Sequence, residues 1–381
     1  MDHDELPRPD TSPDTSHTEG RADRADRVAG LDPVAWTLRR YASAPLRMTF
    51  AAGTREETLA WQTRLRAKLV DLLGGFPEER TPLEPIVLEV CERPTYRRTR
   101  LLFESRPGLS VAADLLVPKD AADRGPLPTV VCVPGHGRGL DDVVGLARTD
   151  DGGGGSSSSS DDDDDEQPGY QRSFALQAVA HGLAALAIEP LGFGHRRDAA
   201  TAAAGPDAAA CQPAAGAALL LGETMIGWRV WDVMRALDLI GTRPELDARR
   251  VGCVGISGGG TCTLFAAALD PRIRCAYVSG YLSTFRASIM SISHCIDNYV
   301  PGILEWAEMY DVAGLVAPRA LFSEAGDQDP IFPVAVSRES YRRVRRVYAA
   351  LGAEDQVRQE VFEGGHLFHG DGWPFVVGAL R

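Results

Sequence analysis

The chain has 381 residues, of which 44% are apolar and 24% are charged, with 39 glycines and 25 prolines. This composition is typical of globular proteins, and the length suffices for one large α/β domain or two smaller ones. No apolar run approaches the roughly 20 residues that span a bilayer, and the N-terminus shows neither the basic nor the apolar part of a secretory signal. We therefore expect a cytoplasmic protein without a membrane partner.

The formal net charge of −13 is concentrated in two segments. Residues 150–166 contribute −8 and residues 1–27 contribute −4, so the rest of the chain is nearly neutral. A neutral body without a long basic stripe argues against nucleic acid as a partner. Because neither segment can bury apolar surface, we expect a disordered tail at residues 1–27 and a solvated Gly/Ser/Asp insertion at residues 150–168.

The cysteines form no C-x-x-C pair and no Cys/His group with the spacing of metal ligands along the chain. There are seven of them, at Cys91, Cys132, Cys211, Cys253, Cys262, Cys275 and Cys295. Most lie in apolar segments, as reduced and buried thiols do. The sequence thus predicts no metal and no other cofactor.

The predicted elements begin with two helices between Pro33 and Gly75, in an N-terminal helical extension of residues 28–85. Three strands follow, at Ile86–Cys91, Arg98–Glu104 and Val111–Val117, and they are expected to open a sheet in antiparallel fashion.

From residue 129 onward, strands and helices alternate. The predicted strands span residues 129–133, 183–188, 251–256, 273–279, 319–324 and 356–362. The predicted helices span residues 170–181, 223–242, 259–269 and 334–351. This alternation predicts an α/β fold for residues 86–381, with a mostly parallel central sheet and helices on both faces.

The most specific motif is Gly255-Ile256-Ser257-Gly258-Gly259, a G-x-S-x-G string between a predicted strand and a predicted helix. A nucleophile elbow requires this setting, because its serine sits on a strained turn with Oγ exposed. Side chains two positions before and after the serine would collide with the neighbouring helix and strand. The motif predicts that Ser257 is a nucleophile; the alternative is a helix N-cap in a Gly-rich turn.

A serine nucleophile needs a base, which in this arrangement follows the serine and the acid in the chain. His366 lies in a Gly-rich loop directly after the last predicted strand, where catalytic residues of parallel sheets gather. It is the predicted base, and His369 is the alternative. His294 lies in a segment without strand periodicity and is assigned a structural role.

Two carboxylates are candidates for the acid that orients this base. Asp327 and Asp329 both follow the end of a predicted strand. Asp329 is favoured because Pro330 and Pro333 would stiffen its loop, whereas either residue could instead form an Asx turn before the next helix.

An oxyanion hole requires two N–H donors. The backbone N–H of Gly258, directly after the nucleophile, is one of them. The second is expected from the loop Pro134-Gly135-His136-Gly137-Arg138, where the N–H of His136 is the best placed and that of Arg138 is the alternative.

Together these motifs resemble the α/β-hydrolase superfamily, specifically its acetyl xylan esterase and dienelactone hydrolase-like branch. The resemblance runs from about Leu31 to the C-terminus. It is carried by Pro134–Gly137, Gly192–Arg197, Gly255–Gly260, Ala268–Arg272, Ala317–Arg319, Gly326–Pro333 and Gly364–His366. In that family an aspartate four residues before a proline is the acid, which selects Asp329 through Pro333. The resemblance implies an α/β-hydrolase fold and hydrolysis of carboxylic esters, often with small acyl groups; the insertion at residues 150–168 departs from the family pattern.

We therefore expect a metal-independent serine hydrolase that cleaves a small-molecule ester, acetyl-like in its acyl group, through Ser257, His366, Asp329 and an acyl-enzyme. An acyltransferase or cyclase of specialised metabolism would use the same triad but pass the acyl group to an alcohol or amine. A prolyl-oligopeptidase-like peptidase would also share the triad, although about 100 residues before the core cannot form its propeller. The sequence leaves open whether the chain forms a homo-oligomer.

Overall fold

A computed structural model describes residues 30–119, 125–146, 169–205 and 210–381. The predicted tail at residues 1–27 and the predicted insertion at residues 150–168 lie outside these ranges. Contacts divide the chain into two units, a smaller one ending at Ala44 and a larger one spanning Pro45–Arg381. The smaller unit contains helix α1 (Pro33–Tyr41), which begins after Asp32, whose carboxylate accepts hydrogen bonds from two backbone N–H groups of the first turn.

The larger unit holds the remaining elements. Its strands are β1 (Ile86–Glu92), β2 (Tyr96–Arg106), β3 (Leu109–Pro118), β4 (Leu127–Val133), β5 (Ala184–Ile188), β6 (Leu246–Ile256), β7 (Ile273–Ser279), β8 (Ala320–Gly326) and β9 (Val357–Phe362). Its helices are α2 (Arg55–Leu72), α3 (Leu140–Val143), α4 (Phe174–Ala180), α5 (Ala199–Ala203), α6 (Cys211–Leu220), α7 (Met225–Gly241), α8 (Gly258–Leu269), α9 (Met309–Gly314), α10 (Val334–Leu351) and α11 (Trp373–Ala379). Within the described ranges, no helix combines the length and the apolarity needed to cross a bilayer.

The strands form one sheet in the order β1-β2-β3-β5-β4-β6-β7-β8-β9. The first three strands are antiparallel, β3 pairs antiparallel with β5, and every pairing from β5 through β9 is parallel. The predicted α/β fold with a mostly parallel sheet and an antiparallel opening is confirmed. Because parallel strands end at the same edge, the loops after β4, β6, β7, β8 and β9 meet there.

Helices cover both faces of the sheet, and the strands show why. Along β6, Val251 and Cys253 belong to one apolar core, while Val254 and Ile256 belong to another on the opposite face. Alternate residues of a strand point to opposite faces, so a strand buried on both sides reads as a continuous apolar run. Helices α2, α7, α8 and α10 contribute to the first core, and α4 and α11 contribute to the second.

Helix α2, which the sequence analysis placed in the N-terminal extension, packs against the sheet core within the larger unit. It begins at Thr54 with a capping box, in which the Thr54 hydroxyl accepts from the Glu57 N–H and the Glu57 carboxylate accepts from the Thr54 N–H. Its residues Trp61, Leu65 and Leu69 are buried in the first core. Helix α2 is therefore part of the core of the sheet domain.

Helix α4 begins at Phe174, four residues later than predicted. Arg172 and Ser173 have φ values of 50° and 46°, which are incompatible with a right-handed helix. Tyr170 therefore lies in a turn before the helix.

Candidate active site

Ser257 lies between β6 and α8 in an unusual backbone conformation. Its φ is 56° and its ψ is −122°, a region that side-chain-bearing residues rarely adopt. Its N–H donates to the carbonyl oxygen of Ser279 at 3.0 Å, which fixes the turn to the end of the neighbouring strand β7. The predicted strand–turn–helix setting is present, with a strained serine at its centre.

Close packing requires glycine at positions 255 and 259, two residues before and two residues after Ser257. A Cβ atom on Gly255 would lie 2.4 Å from the carbonyl oxygen of Gly259. A Cβ atom on Gly259 would lie 1.9 Å from the carbonyl oxygen of Val133, at the end of β4. Both obstacles are backbone atoms of core elements, so neither can move aside easily.

We expect Gly259→Ala to destabilise the protein by about 3 kcal/mol or more, because the added methyl group must displace the end of β4. Gly216→Ala in α6 is the matched control, since a Cβ there meets no atom within 4 Å. That control should be neutral or more stable by up to about 1 kcal/mol. Urea unfolding of both variants measures the difference, and equal midpoints would contradict the proposed packing constraint.

Asp329 and His366 meet at the edge of the sheet where β8 and β9 end. His366 Nδ1 lies 2.7 Å from Asp329 Oδ2, and both side chains are largely buried. Asp329 Oδ1 accepts hydrogen bonds from the backbone N–H groups of Ile331 at 2.8 Å and Phe332 at 3.0 Å. The carboxylate is therefore held by its own loop, with its second oxygen directed at the imidazole.

Aromatic rings position the imidazole of His366. The Tyr170 ring lies 5.8 Å from it and the Phe332 ring 5.7 Å, both within 25° of parallel. His366 Nε2 is buried and has no hydrogen-bond partner among the described residues. Sequence reasoning missed both rings: Tyr170 lies two residues after the predicted insertion, and Phe332 lies in the loop that carries Asp329.

The loop after β7 contacts both Ser257 and His366. Ser279 accepts the hydrogen bond from Ser257, and a Cβ atom on the next residue, Gly280, would lie 2.9 Å from His366 Cε1. The absence of a side chain at Gly280 leaves room for the imidazole against this loop. The structure thus brings Ser257, His366 and Asp329 to one edge of the sheet.

The alternative acid and the alternative base have other contacts. Asp327 Oδ1 accepts from the Gly364 N–H at 3.0 Å, which joins the loops after β8 and β9. His369 Nδ1 lies 3.0 Å from Asp371 Oδ2, and its ring stacks on Phe362 at 4.5 Å.

His294, which the sequence analysis assigned a structural role, packs edge-on against the ring of Phe332 at 5.9 Å. Burial lowers the pKa of this imidazole.

Sequence reasoning also missed Glu324. This buried carboxylate near the end of β8 accepts from the backbone N–H groups of His369 at 2.8 Å and Gly370 at 3.3 Å, and from the Tyr277 hydroxyl. Burial raises its pKa. It anchors the loop that carries His366, and the available signal was an acidic residue in a mostly apolar strand.

The two predicted oxyanion donors come from adjacent segments. Gly258 is the first residue of α8, where helix N–H groups have no partner within the helix. A Cβ on Gly258 would lie 3.3 Å from His136 Cε1, and the His136 carbonyl accepts a hydrogen bond from the Tyr170 hydroxyl at 2.5 Å. The alternative donor, the Arg138 N–H, is bonded to Asp142 Oδ2 at 2.9 Å.

Side chains of the kinds that coordinate metal ions lie around the His136 imidazole. Its Nε2 lies 3.7 Å from Cys211 Sγ and 3.4 Å from Asp297 Oδ2, and Arg229 donates to the same carboxylate oxygen at 2.5 Å. A hydrogen bond from Cys295 is the main cause that lowers the pKa of Cys211 to about 5. Burial opposes ionisation of Asp297, but Arg229 and His136 hold its pKa well below the usual range. Among the described residues, this group is the one whose donor atoms could hold a metal ion.

The sequence of the chain matches a known protein family. The model of the Abhydrolase family matches residues 40–346, which is most of the chain. The chain belongs to the Abhydrolase family. The predicted α/β-hydrolase resemblance is confirmed at this level.

One curated relative and many solved structures are similar to the chain. "Putative hydrolase YtaP" from Bacillus subtilis (strain 168) is 28% identical over 313 residues, covering 79% of this chain and 93% of the relative. A structure described as a putative acetyl xylan esterase, from Bacteroides fragilis NCTC 9343, has a TM-score of 0.72 at 18% identity and covers 87% of this chain and 82% of its own. A glucuronoyl esterase from Solibacter usitatus has a TM-score of 0.60 at 17% identity, with coverage of 84% and 93%. At these identities the two structures show a shared fold.

Proposed function

We propose that this member of the Abhydrolase family hydrolyses carboxylic esters with small acyl groups, using Ser257 as nucleophile, His366 as general base and Asp329 as the orienting acid. The observation that carries the proposal is the buried 2.7 Å contact between His366 and Asp329 on the same sheet edge as the strained Ser257. Strain of this kind persists where surrounding structure enforces it, and it is frequent at active sites.

The protonation of His366 follows from its contacts. A carboxylate only accepts hydrogen bonds, so Asp329 requires the proton of the neutral imidazole on Nδ1. The lone pair then resides on Nε2, which has no partner among the described residues. In the reaction, Ser257 Oγ attacks the ester carbonyl carbon while Nε2 takes its proton. Asp329 stabilises the imidazolium that forms.

The alcohol and then the acyl group leave in three further proton transfers. The imidazolium donates its proton to the oxygen of the leaving alcohol, and the C–O bond of the ester breaks. A water molecule next loses a proton to Nε2 as its oxygen attacks the acyl-enzyme, and the acid leaves as Ser257 regains a proton. The N–H groups of Gly258 and His136 are the proposed donors to the oxyanion in both steps.

Two considerations support a small acyl group. The rings of His136 and Phe193 approach within 3.3 Å and 3.5 Å of a Cβ position on Gly258, which leaves little room beside the start of α8. Two of the structural neighbours are named acetyl xylan esterases, and we extend the small acyl group in that name to this chain. The neighbours named glucuronoyl esterase support ester hydrolysis alone, because a glucuronoyl group is a sugar acid.

Labelling with a fluorophosphonate probe tests the proposal without a choice of substrate. The probe reacts with an activated serine, so we expect stoichiometric labelling of the wild-type chain and none of Ser257→Ala. Ser291→Ala is the matched control, because Ser291 is an exposed serine of the loop region after β7 and should leave labelling unchanged.

Peptide mapping of the labelled wild-type chain should find the adduct on Ser257. Undiminished labelling of Ser257→Ala, or a folded wild-type chain that the probe does not label, would contradict the assignment of the nucleophile.

A further inference from the structure

Residues from three distant parts of the chain converge beside the oxyanion loop. They are His136 after β4, Cys211 as the first residue of α6, and Cys295 and Asp297 in the segment between β7 and α9. One ligand atom from each lies within 4.8 Å of all the others. We call this the four-ligand group. The carboxylate and Cys211 are buried, whereas His136 and Cys295 are half-buried.

Three of the four ligand atoms have the spacing expected in the coordination shell of one small ion, and the fourth, Cys295 Sγ, lies within 4.8 Å of each of them. With zinc–ligand bonds of about 2.0–2.3 Å, the edges of a tetrahedral site measure about 3.3–3.8 Å. The three separations among His136 Nε2, Cys211 Sγ and Asp297 Oδ2 are 3.7, 3.4 and 3.6 Å. Two thiolates, an imidazole and a carboxylate form a donor set that zinc accepts and that magnesium or calcium does not favour.

The charge of the surroundings also suits a divalent cation. With both thiols ionised, Cys211, Cys295 and Asp297 carry three negative charges, and Arg229 contributes one positive charge. Arg229 is buried and donates to Asp297 Oδ2 at 2.5 Å and to Cys211 Sγ at 3.4 Å. Such an outer contact orients ligands and offsets their charge. A dication neutralises the two negative charges that remain, and its binding releases the thiol protons.

We propose that His136, Cys211, Cys295 and Asp297 bind one zinc ion, and that this ion fixes the oxyanion loop to α6 and to the segment after β7. The ion takes no part in the ester reaction, because it binds the side chain of His136 and leaves the backbone N–H free to donate. The zinc site stands on the geometry of the four-ligand group alone; only its effect on the oxyanion loop rests on the proposed function.

Metal analysis of the full chain tests the site directly. The chain is purified in metal-depleted buffer, incubated with zinc and passed through gel filtration to remove free metal. Inductively coupled plasma mass spectrometry should then find about one zinc per chain. Cys211→Ser and Cys295→Ser should each retain at least tenfold less zinc. Cys91→Ser is the control, since Cys91 lies in β1 and outside the group.

Cobalt provides a readout that needs no variant. Cobalt bound to the wild-type chain should show the intense ligand-field bands of a tetrahedral site and a thiolate-to-cobalt charge-transfer band. Both signals should disappear when zinc is added in excess. Octahedral cobalt bands, or no cobalt bound to a folded chain, would overturn the proposal.

A disulfide between Cys211 and Cys295 is the competing outcome. Mass spectrometry of alkylated, non-reduced protein would reveal it, and its presence in freshly purified chains that hold no zinc would overturn the site. Fluorophosphonate labelling of the same samples separates the two proposals. Zinc without labelling contradicts the triad alone, whereas labelling without zinc contradicts the metal site alone.

Discussion

Replacing His366 with alanine is expected to lower kcat for a small ester such as p-nitrophenyl acetate by on the order of 10⁶-fold. Without the imidazole, Ser257 loses the base that is proposed to take its proton, and a neutral serine hydroxyl is a poor nucleophile. KM should change little, because the imidazole acts on the reacting atoms and does not anchor the substrate. The kcat from steady-state kinetics and the rate of fluorophosphonate labelling should both fall.

His369→Ala is the matched control for this variant. His369 lies three residues away in the same loop, but its ring stacks on Phe362 and its Nδ1 faces Asp371. We expect it to retain kcat within about tenfold, well short of the loss expected for a general base. A large loss in His369→Ala together with an active His366→Ala would contradict the assignment of the base. Thermal unfolding of both variants confirms that each is folded.

Replacing Asp329 with asparagine is expected to lower kcat by about 10⁴-fold. The reason lies in the two backbone N–H groups of Ile331 and Phe332, which require an acceptor at the Oδ1 position. The amide oxygen of asparagine takes that position, so its NH₂ group faces His366 Nδ1. An NH₂ donor forces the imidazole proton onto Nε2, and this tautomer cannot accept the proton of Ser257.

Asp327→Asn is the matched control for the acid. Within the described ranges, Asp327 accepts one hydrogen bond, from the Gly364 N–H at 3.0 Å, and an asparagine oxygen can accept the same bond. Its kcat should therefore stay within about fivefold of wild type, since a neutral hydrogen bond contributes only about 1 kcal/mol. If Asp327→Asn were the inactive variant and Asp329→Asn the active one, the assignment of the acid would be wrong.

The order of strands and helices could be read from the sequence because each buried strand is a short apolar run and each amphipathic helix has its own period. Helix α6, in contrast, is built largely of alanine and leucine without a polar face, and α11 has only seven residues. Neither carries a periodic signal of useful length, so neither was predicted. Helix α4 was predicted too long because the backbone of Arg172 and Ser173 departs from the helix without a proline or glycine to mark it.

The chemical motifs were predictable to the extent that they are local in sequence. Ser257 and its glycines form one contiguous string whose steric reason is the approach of Gly259 to the end of β4. The proposed acid and base were selected as residues that follow strand ends, a rule that holds because parallel strands finish at one edge. The rings of Tyr170 and Phe332, and the anchoring carboxylate of Glu324, have no such local pattern.

By itself, the sequence determined the α/β fold, the elbow at Ser257 and a short set of candidates for its partners. The tertiary structure decided which candidates meet: Asp329 with His366, and Asp327 with a backbone N–H instead. It also assembled the four-ligand group, whose members are separated by up to 161 positions and show no metal-ligand spacing along the chain. Distances along the sequence report local geometry, whereas coordination and proton transfer depend on distances in space, which only the packed sheet and helices establish.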